Sequence, residues 1–337
     1  MANCLTHCGS ESNPGGSTPP LSTQRHALES MRALKNTAIR IVVVLVFQTL
    51  WLGNAHSQRS GNPKLDEEIS KQESIYHGRG DQLVEGYVIN RSLLSYSFTL
   101  SEEFDRALAN LGPQDRWLDI GAGQGQAILD YYTPRYDSMH AEGRERRGKK
   151  AGAVAISIED RRTPLWSQSA ASLEANKIQY LFGRRLREYS PEELGRFQLI
   201  TDVIGGFSYS VELSLFVEKV LGLLELNGSF FTLLQDVQAE DGTNEPYYAG
   251  SPFLTEIANA DGSKTKVCPW LKSIACAEVT CELRTQWSPP IEVYRIRKVC
   301  SDVAVPALVP VHYEAGTPPE RGYRLANPLP GQAGAAR

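Results

Sequence analysis

The sequence predicts an α/β protein built on a doubly wound, mainly parallel sheet that closes with an antiparallel hairpin. Three observations carry this expectation. Between residues 116 and 234, short apolar runs alternate with helix-patterned segments, the order in which βαβ units are written. A glycine-rich turn, GAGQG at 121–125, follows the first apolar run directly. Two extended runs, 277–287 and 291–299, are joined across SPP at 288–290 and end the pattern.

The chain has 337 residues, 41% of them hydrophobic, and a net charge of −4. That is enough apolar material for one large core or two modest ones. The acidic balance argues against a general nucleic-acid binder, so no DNA partner is expected.

Residues 1–30 are rich in Ser, Pro, Gly and Thr without apolar periodicity, so they read as disordered. A basic stretch, MRALKNTAIR at 31–40, precedes an apolar run, IVVVLVFQTLWL at 41–52, and small residues, GNAHS, follow at 53–57. This is the order of a secretory signal with a cut after Ser57. The run is shorter than the roughly 20 residues that cross a bilayer. Met31 is then the better start. Residues 1–57 are read as a leader plus signal or membrane anchor, placing the protein outside the cytosol; the alternative is a cytoplasmic protein.

Residues 58–105 are a linker and an N-terminal helical cap. Residues 66–74 are helix-compatible. Ser101, followed by Glu102 and Glu103, is expected to cap a helix that Gly112-Pro113 stops. The main domain occupies residues 106–300. Its strands are expected at 116–120, 153–159, 178–182, 197–204 and 228–234. Helices are expected at 124–132, 167–176 and 211–224, with a helical turn at 191–194. The RGD at 79–81 is a three-residue match and carries no weight. Residues 301–337, rich in Pro, Ala and Gly, are expected to be a mobile tail.

Six cysteines are present. Cys4 and Cys8 flank His7 in the leader; the spacing is read as chance, and no metal is expected. Cys268, Cys276, Cys281 and Cys300 are compatible with two disulfides or with free thiols.

A strand that ends in a turn opening a helix presents free backbone N–H groups, and glycine lets a ligand approach them. A dinucleotide fingerprint needs G-x-G-x-x-G. Here the spacing is G-x-G-x-G, with Asp119 two residues before Gly121. Asp119-Ile120-Gly121-Ala122-Gly123-Gln124-Gly125 resembles motif I of the class I S-adenosylmethionine (SAM)-dependent methyltransferases, a Rossmann-like family with a seven-stranded sheet and a terminal antiparallel hairpin. The resemblance covers about residues 106–300 and includes VLGLLELNGSFFTLL at 220–234. It implies SAM as cofactor, held by Asp119, Gly121, Ala122, Gly123 and Gly125, and methyl transfer to a small-molecule or protein acceptor. A monomer or dimer is expected.

Two departures accompany the match. The position of the usual ribose-binding acid falls on Ser157, so Glu159, on the same face, is the substitute candidate. The third strand ends in Gly183-Arg184, where the family has Gly-Asp. Arg161, Arg162, Arg184, Arg185 and Arg187 follow strands two and three and suit an acidic acceptor. The 144–150 cluster (RERRGKK) belongs to the opposite edge as a solvated loop. After the fourth strand, Asp202 and Tyr209 are the candidates to orient or deprotonate an acceptor. No N-P-P-Y or Pro-Cys pair is present. An exported binding protein without catalysis is the alternative function.

Overall fold

The computed structural model describes residues 62–76, 91–133, 150–235, 254–259, 261–285, 287, 290–316 and 318–327. All of them belong to one compact unit, Ser60–Arg337. The expected signal segment, the RGD and Cys4, His7 and Cys8 lie outside the described residues. Among the described residues no helix is long and apolar enough to cross a membrane.

Among the described residues, three helices precede the sheet: α1 (Pro63–Tyr76), α2 (Leu93–Leu100) and α3 (Glu102–Ala109). The Ser92 hydroxyl caps α2 by accepting from the Ser95 N–H at 3.2 Å. Ser101, expected to cap α3, makes no side-chain cap bond and sits at φ 146°, because it turns the chain sharply between two helices. Glu102, Glu103 and Asp105 still place negative charge in the first turn of α3, where the helix dipole favours it.

The strands then follow as β1 (Arg116–Ile120), β2 (Gly152–Ile156), β3 (Ile178–Leu181), β4 (Phe197–Asp202) and β5 (Leu224–Leu234). Their crossover helices are α4 (Gln126–Tyr131), α5 (Pro164–Ser172), α6 (Pro191–Leu194), α7 (Gly206–Tyr209) and α8 (Leu213–Leu223). The closing pair is β8 (Ala277–Arg284) and β9 (Ile291–Lys298). The sheet order is β3-β2-β1-β4-β5-β9-β8. β1 to β5 are mutually parallel, and β9 runs antiparallel between β5 and β8. This is a Rossmann-like, doubly wound sheet with a reversed strand inserted next to the edge.

Each face of the sheet carries a core. Trp117, Ala155, Tyr180, Leu199 and Phe231 face α2 to α5. Leu118, Ile120, Val154, Ile200 and Phe230 face α6 to α8. Parallel strands buried on both sides read as near-continuous apolar runs, as the unbroken burial of residues 117–120 in β1 and 153–156 in β2 shows.

The stretch beyond Cys300 is not a tail throughout. It forms β10 (Leu308–Glu314) and β11 (Glu320–Leu325), which join β6 (Thr255–Ala258) and β7 (Lys264–Thr265) in a second sheet of order β10-β11-β6-β7. Arg321, Tyr323 and Leu325 are buried at alternating positions of β11, a period-two signal masked by the surrounding prolines, whereas in β10 only Leu308 and Tyr313 are buried, on either side of a register shift. This sheet grips the segment after β4. Arg321, 2% exposed, donates to the carbonyls of Phe207 (2.9 Å) and Ser210 (3.1 Å). Tyr313 donates to the Tyr209 carbonyl at 3.0 Å. α1 docks on the β10–β11 turn, where Glu68 and Gln72 accept the N–H groups of Ala315 and Gly316, each at 2.8 Å.

The four late cysteines pair as Cys268–Cys281 and Cys276–Cys300. The first ties α9 (Val267–Lys272) to β8. At the other end of β8, Arg284 donates to the carbonyls of Phe98 (2.9 Å) and Thr99 (2.7 Å), anchoring the C-terminus of α2 to the closing hairpin. Lys150, expected in a solvated loop, is buried and donates to the Tyr131 carbonyl at 2.7 Å.

Candidate functional site

The turn after β1 is built as the glycines suggest. Gly121, Gly123 and Gly125 have φ of 69°, 55° and 75°, a region that strains any residue with a Cβ. The Ala122 N–H donates to the Ile156 carbonyl at 3.1 Å, and the Gly125 N–H closes the turn on the Ala122 carbonyl at 2.8 Å. The turn therefore sits at the carboxyl end of β1 and β2, the edge where open α/β sheets bind ligands.

Two glycines serve packing as well as conformation. A Cβ on Gly121 would lie 2.9 Å from the Gly205 Cα, so the β1 and β4 turns touch there. A Cβ on Gly125 would lie 2.4 Å from the Trp166 ring. Trp166, 3% exposed, packs edge-on to Tyr180 at 5.2 Å between centroids. The Tyr180 hydroxyl donates to the Gly123 carbonyl. Aromatic side chains from α5 and β3 thus already lie against the turn.

Asp119 is completely buried. The Tyr96 hydroxyl of α2 lies 3.0 Å from both of its oxygens. The Thr201 hydroxyl, opposite it in the β1–β4 register, donates to Oδ1 at 2.7 Å and accepts from Trp117 Nε1 at 2.8 Å. Burial pushes the Asp119 carboxyl up to about 7, against the lowering effect of the Thr201 and Tyr96 hydrogen bonds. Burial first, and then the Asp119 charge and hydrogen bond, raise the Tyr96 phenol well above its ordinary range.

Asp202 ends β4, with its side chain on the opposite face of the sheet from Asp119. Its Oδ1 accepts from the Gly205 N–H at 2.7 Å and its Oδ2 from the Phe207 N–H at 3.0 Å. These bonds hold Ile204 at φ 56°, a conformation that costs a branched residue about 1–2 kcal/mol. Burial raises Asp202 to about 7, and Asp119 adds to the rise. Both oxygens are engaged with the loop backbone, so the geometry gives Asp202 the work of shaping the β4 turn. Tyr209 lies half-buried at the end of α7, close to that turn.

Glu159 pairs with Arg161 at 2.5 Å. Ser157 lies beside the Tyr180 hydroxyl. Arg162 pairs with Asp160 at 2.6 Å, Arg184 with Glu193 at 2.9 Å, and Arg187 with Glu212. An acidic ligand would have to exchange with carboxylates already in place, and surface pairs of this kind contribute little.

The structure therefore brings together Asp119, Gly121, Ala122, Gly123 and Gly125, sets Glu159 at the neighbouring strand end, and places Asp202 behind Gly205. The sequence reading missed Tyr96, Thr201, Trp166 and Tyr180. The spacing of Leu93, Tyr96 and Leu100, one helical stripe after Ser92, was the available signal for Tyr96.

Asp119 has acceptor capacity beyond its three bonds, since a carboxylate offers about four lone-pair sites. A buried carboxylate under a left-handed glycine turn suits a ligand with an ammonium group and no phosphate. Those donors and acceptors fit the aminoacyl end of SAM. The space beside Gly125 and Gly123 does not, as long as Trp166 and Tyr180 stay where they are.

No protein-family model matches the chain, and no curated protein does. Solved structures with a similar arrangement include an rRNA methylase from Streptococcus thermophilus, 12% identical, covering 59% of this chain and 95% of that one, with a TM-score of 0.35. Another is a putative class I SAM-dependent methyltransferase from Listeria monocytogenes, 14% identical, covering 71% and 70%, with a TM-score of 0.39. A third is the N-methyltransferase NodS from Bradyrhizobium japonicum, 12% identical, covering 59% and 94%, with a TM-score of 0.34. At these scores the likeness adds nothing to the strand order itself, which is what identifies the fold.

Proposed function

We propose that the protein is a SAM-dependent methyltransferase acting on a small molecule or a protein. The observation that carries this reading is the junction of the β3-β2-β1-β4-β5-β9-β8 order with three left-handed glycines and a buried acid at the end of β1. SAM would supply an electrophilic methyl on a sulfonium. Asp119 would answer its ammonium group, and the turn at 121–125 would accept it once Trp166 and Tyr180 move off Gly125 and Gly123. α2, lying over Asp119 through Tyr96, would exclude water, and alignment with exclusion of water is the main demand of an in-line displacement.

A second reading, an exported binding protein without catalysis, is favoured by Trp166 and Tyr180 on the turn and by Ser157 and Arg184 at the ribose and adenine positions. The two disulfides favour an oxidising compartment for either reading, in keeping with the signal expected at residues 31–57.

Calorimetric titration of the full chain with SAM, S-adenosylhomocysteine and NAD separates the readings. Saturable heat with the first two, absent with NAD and weakened at least tenfold by Asp119→Asn, is expected. No heat and no thermal shift with either sulfur nucleoside would leave the binding-protein reading standing.

A further inference from the structure

We infer that the outer face of the β10–β11 hairpin is a divalent transition-metal site formed by His312, Glu314 and Glu320. This goes beyond methyl transfer and does not depend on it. The potential ligand atoms of the three residues lie within 4.8 Å of one another, and His312 Nε2 is 3.5 Å from the nearer Glu320 oxygen.

The backbone is arranged to bring them to one face. Pro310 pairs with Tyr323, but His312 pairs with Gly322, so the register shifts by one residue at Val311. Without that extra residue, His312 would stand opposite Arg321, whose side chain points into the protein. The bulge moves the imidazole to the outer face, with Glu314 and, directly across the ladder, Glu320. Bulges commonly re-aim a side chain in this way.

Gly322 completes the arrangement. A Cβ there would meet the His312 Cβ at 2.9 Å, so only glycine leaves room for histidine at this pairing.

The charges need an answer. Two carboxylates directly opposed across an antiparallel pair repel each other. Glu68 of α1 adds a third nearby, bonded to the Ala315 N–H at 2.8 Å and paired with Lys71 at 3.4 Å. An imidazole nitrogen with two carboxylate oxygens is a borderline donor set that suits Zn²⁺, Co²⁺ or Mn²⁺ better than Ca²⁺. The ligands are half-exposed, so water would fill the remaining positions. Glu68, through its bond to the Ala315 N–H, ties α1 to the same hairpin.

The test is calorimetry of untagged, chelator-treated full-length protein with ZnCl₂, with CoCl₂ absorption as the spectroscopic readout. Wild type is expected to bind one ion, with a visible Co²⁺ band. His312→Ala and Glu320→Gln should each weaken binding at least tenfold with unchanged circular dichroism. Glu256→Gln, on the same sheet outside the cluster, should bind as wild type does. An absence of binding by wild type, or binding that survives both substitutions in the cluster, would overturn the site. Neither result bears on SAM binding, which is measured separately.

Discussion

Asp119 shows how one residue can be legible in identity and illegible in setting. Its position before the glycine turn marks it in the sequence. Its partners, Tyr96 and Thr201, lie 23 and 82 residues away, and only the sheet register and the docking of α2 bring them in. The buried carboxyl has a definite pH signature. Its value rises from an ordinary 3.8 to about 7 in the folded protein, so the folded state holds a proton that the unfolded chain has released. That contribution is fully present below about pH 4 and is lost as the pH rises to about 7. A shift of this size corresponds to about 4 kcal/mol. Asp202 behaves in the same sense. Asp119→Asn should therefore remove about half of the stability decline between pH 5 and 8, read from urea midpoints across that range. A slope equal to that of wild type would show that Asp119 titrates normally. Gly125→Ala brings together a φ of 75° and a Trp166 contact. It should cost about 2–3 kcal/mol, from the left-handed strain plus overpacking. In a Trp166→Leu background the cost should fall by about half, since only the backbone strain remains. A double-mutant cycle of thermal melts measures the difference.

The strands of the main sheet were readable because each is a short apolar run bounded by turn residues, and their observed limits fall within a few residues of expectation. Of the elements that escaped, α7, β10 and β11 did so for physical reasons. α7 is only four residues long and owes its place to Asp202 and Arg321, which contact it from other elements. β11 alternates buried residues with more exposed ones, but the register shift in β10 breaks the period there, and Pro306, Pro310, Pro318 and Pro319 make the composition resemble a linker. The disulfides were compatible with the cysteine count, yet spacing alone could not choose the pairing. Cys268–Cys281 closes a separation of 13 residues, for which chain entropy gives about 3 kcal/mol. Replacing both cysteines with serine should lower the urea midpoint accordingly. Reducing agent should have no further effect on that bridge, while still acting on Cys276–Cys300.

At the scale of the whole molecule, the alternation of runs predicted a parallel sheet, and the closing pair predicted its reversed strand. The second sheet could not be foreseen, because its members come from both sides of the closing hairpin. The two disulfides and the expected signal make one joint prediction. Expressed with residues 1–57 and alkylated in intact cells, the protein should carry both bridges. Expressed without those residues in a reducing cytosol, it should present four free thiols by mass spectrometry. Oxidised cysteines in both cases would separate bridge formation from export.

The hold of Tyr96 on Asp119, with α2 moored through Arg284 to the closing hairpin, has a kinetic corollary. Any visitor to that acid must wait for a door to swing. Its observed rate of capture should level off at high concentration, at a ceiling set by the opening of α2 and not by diffusion.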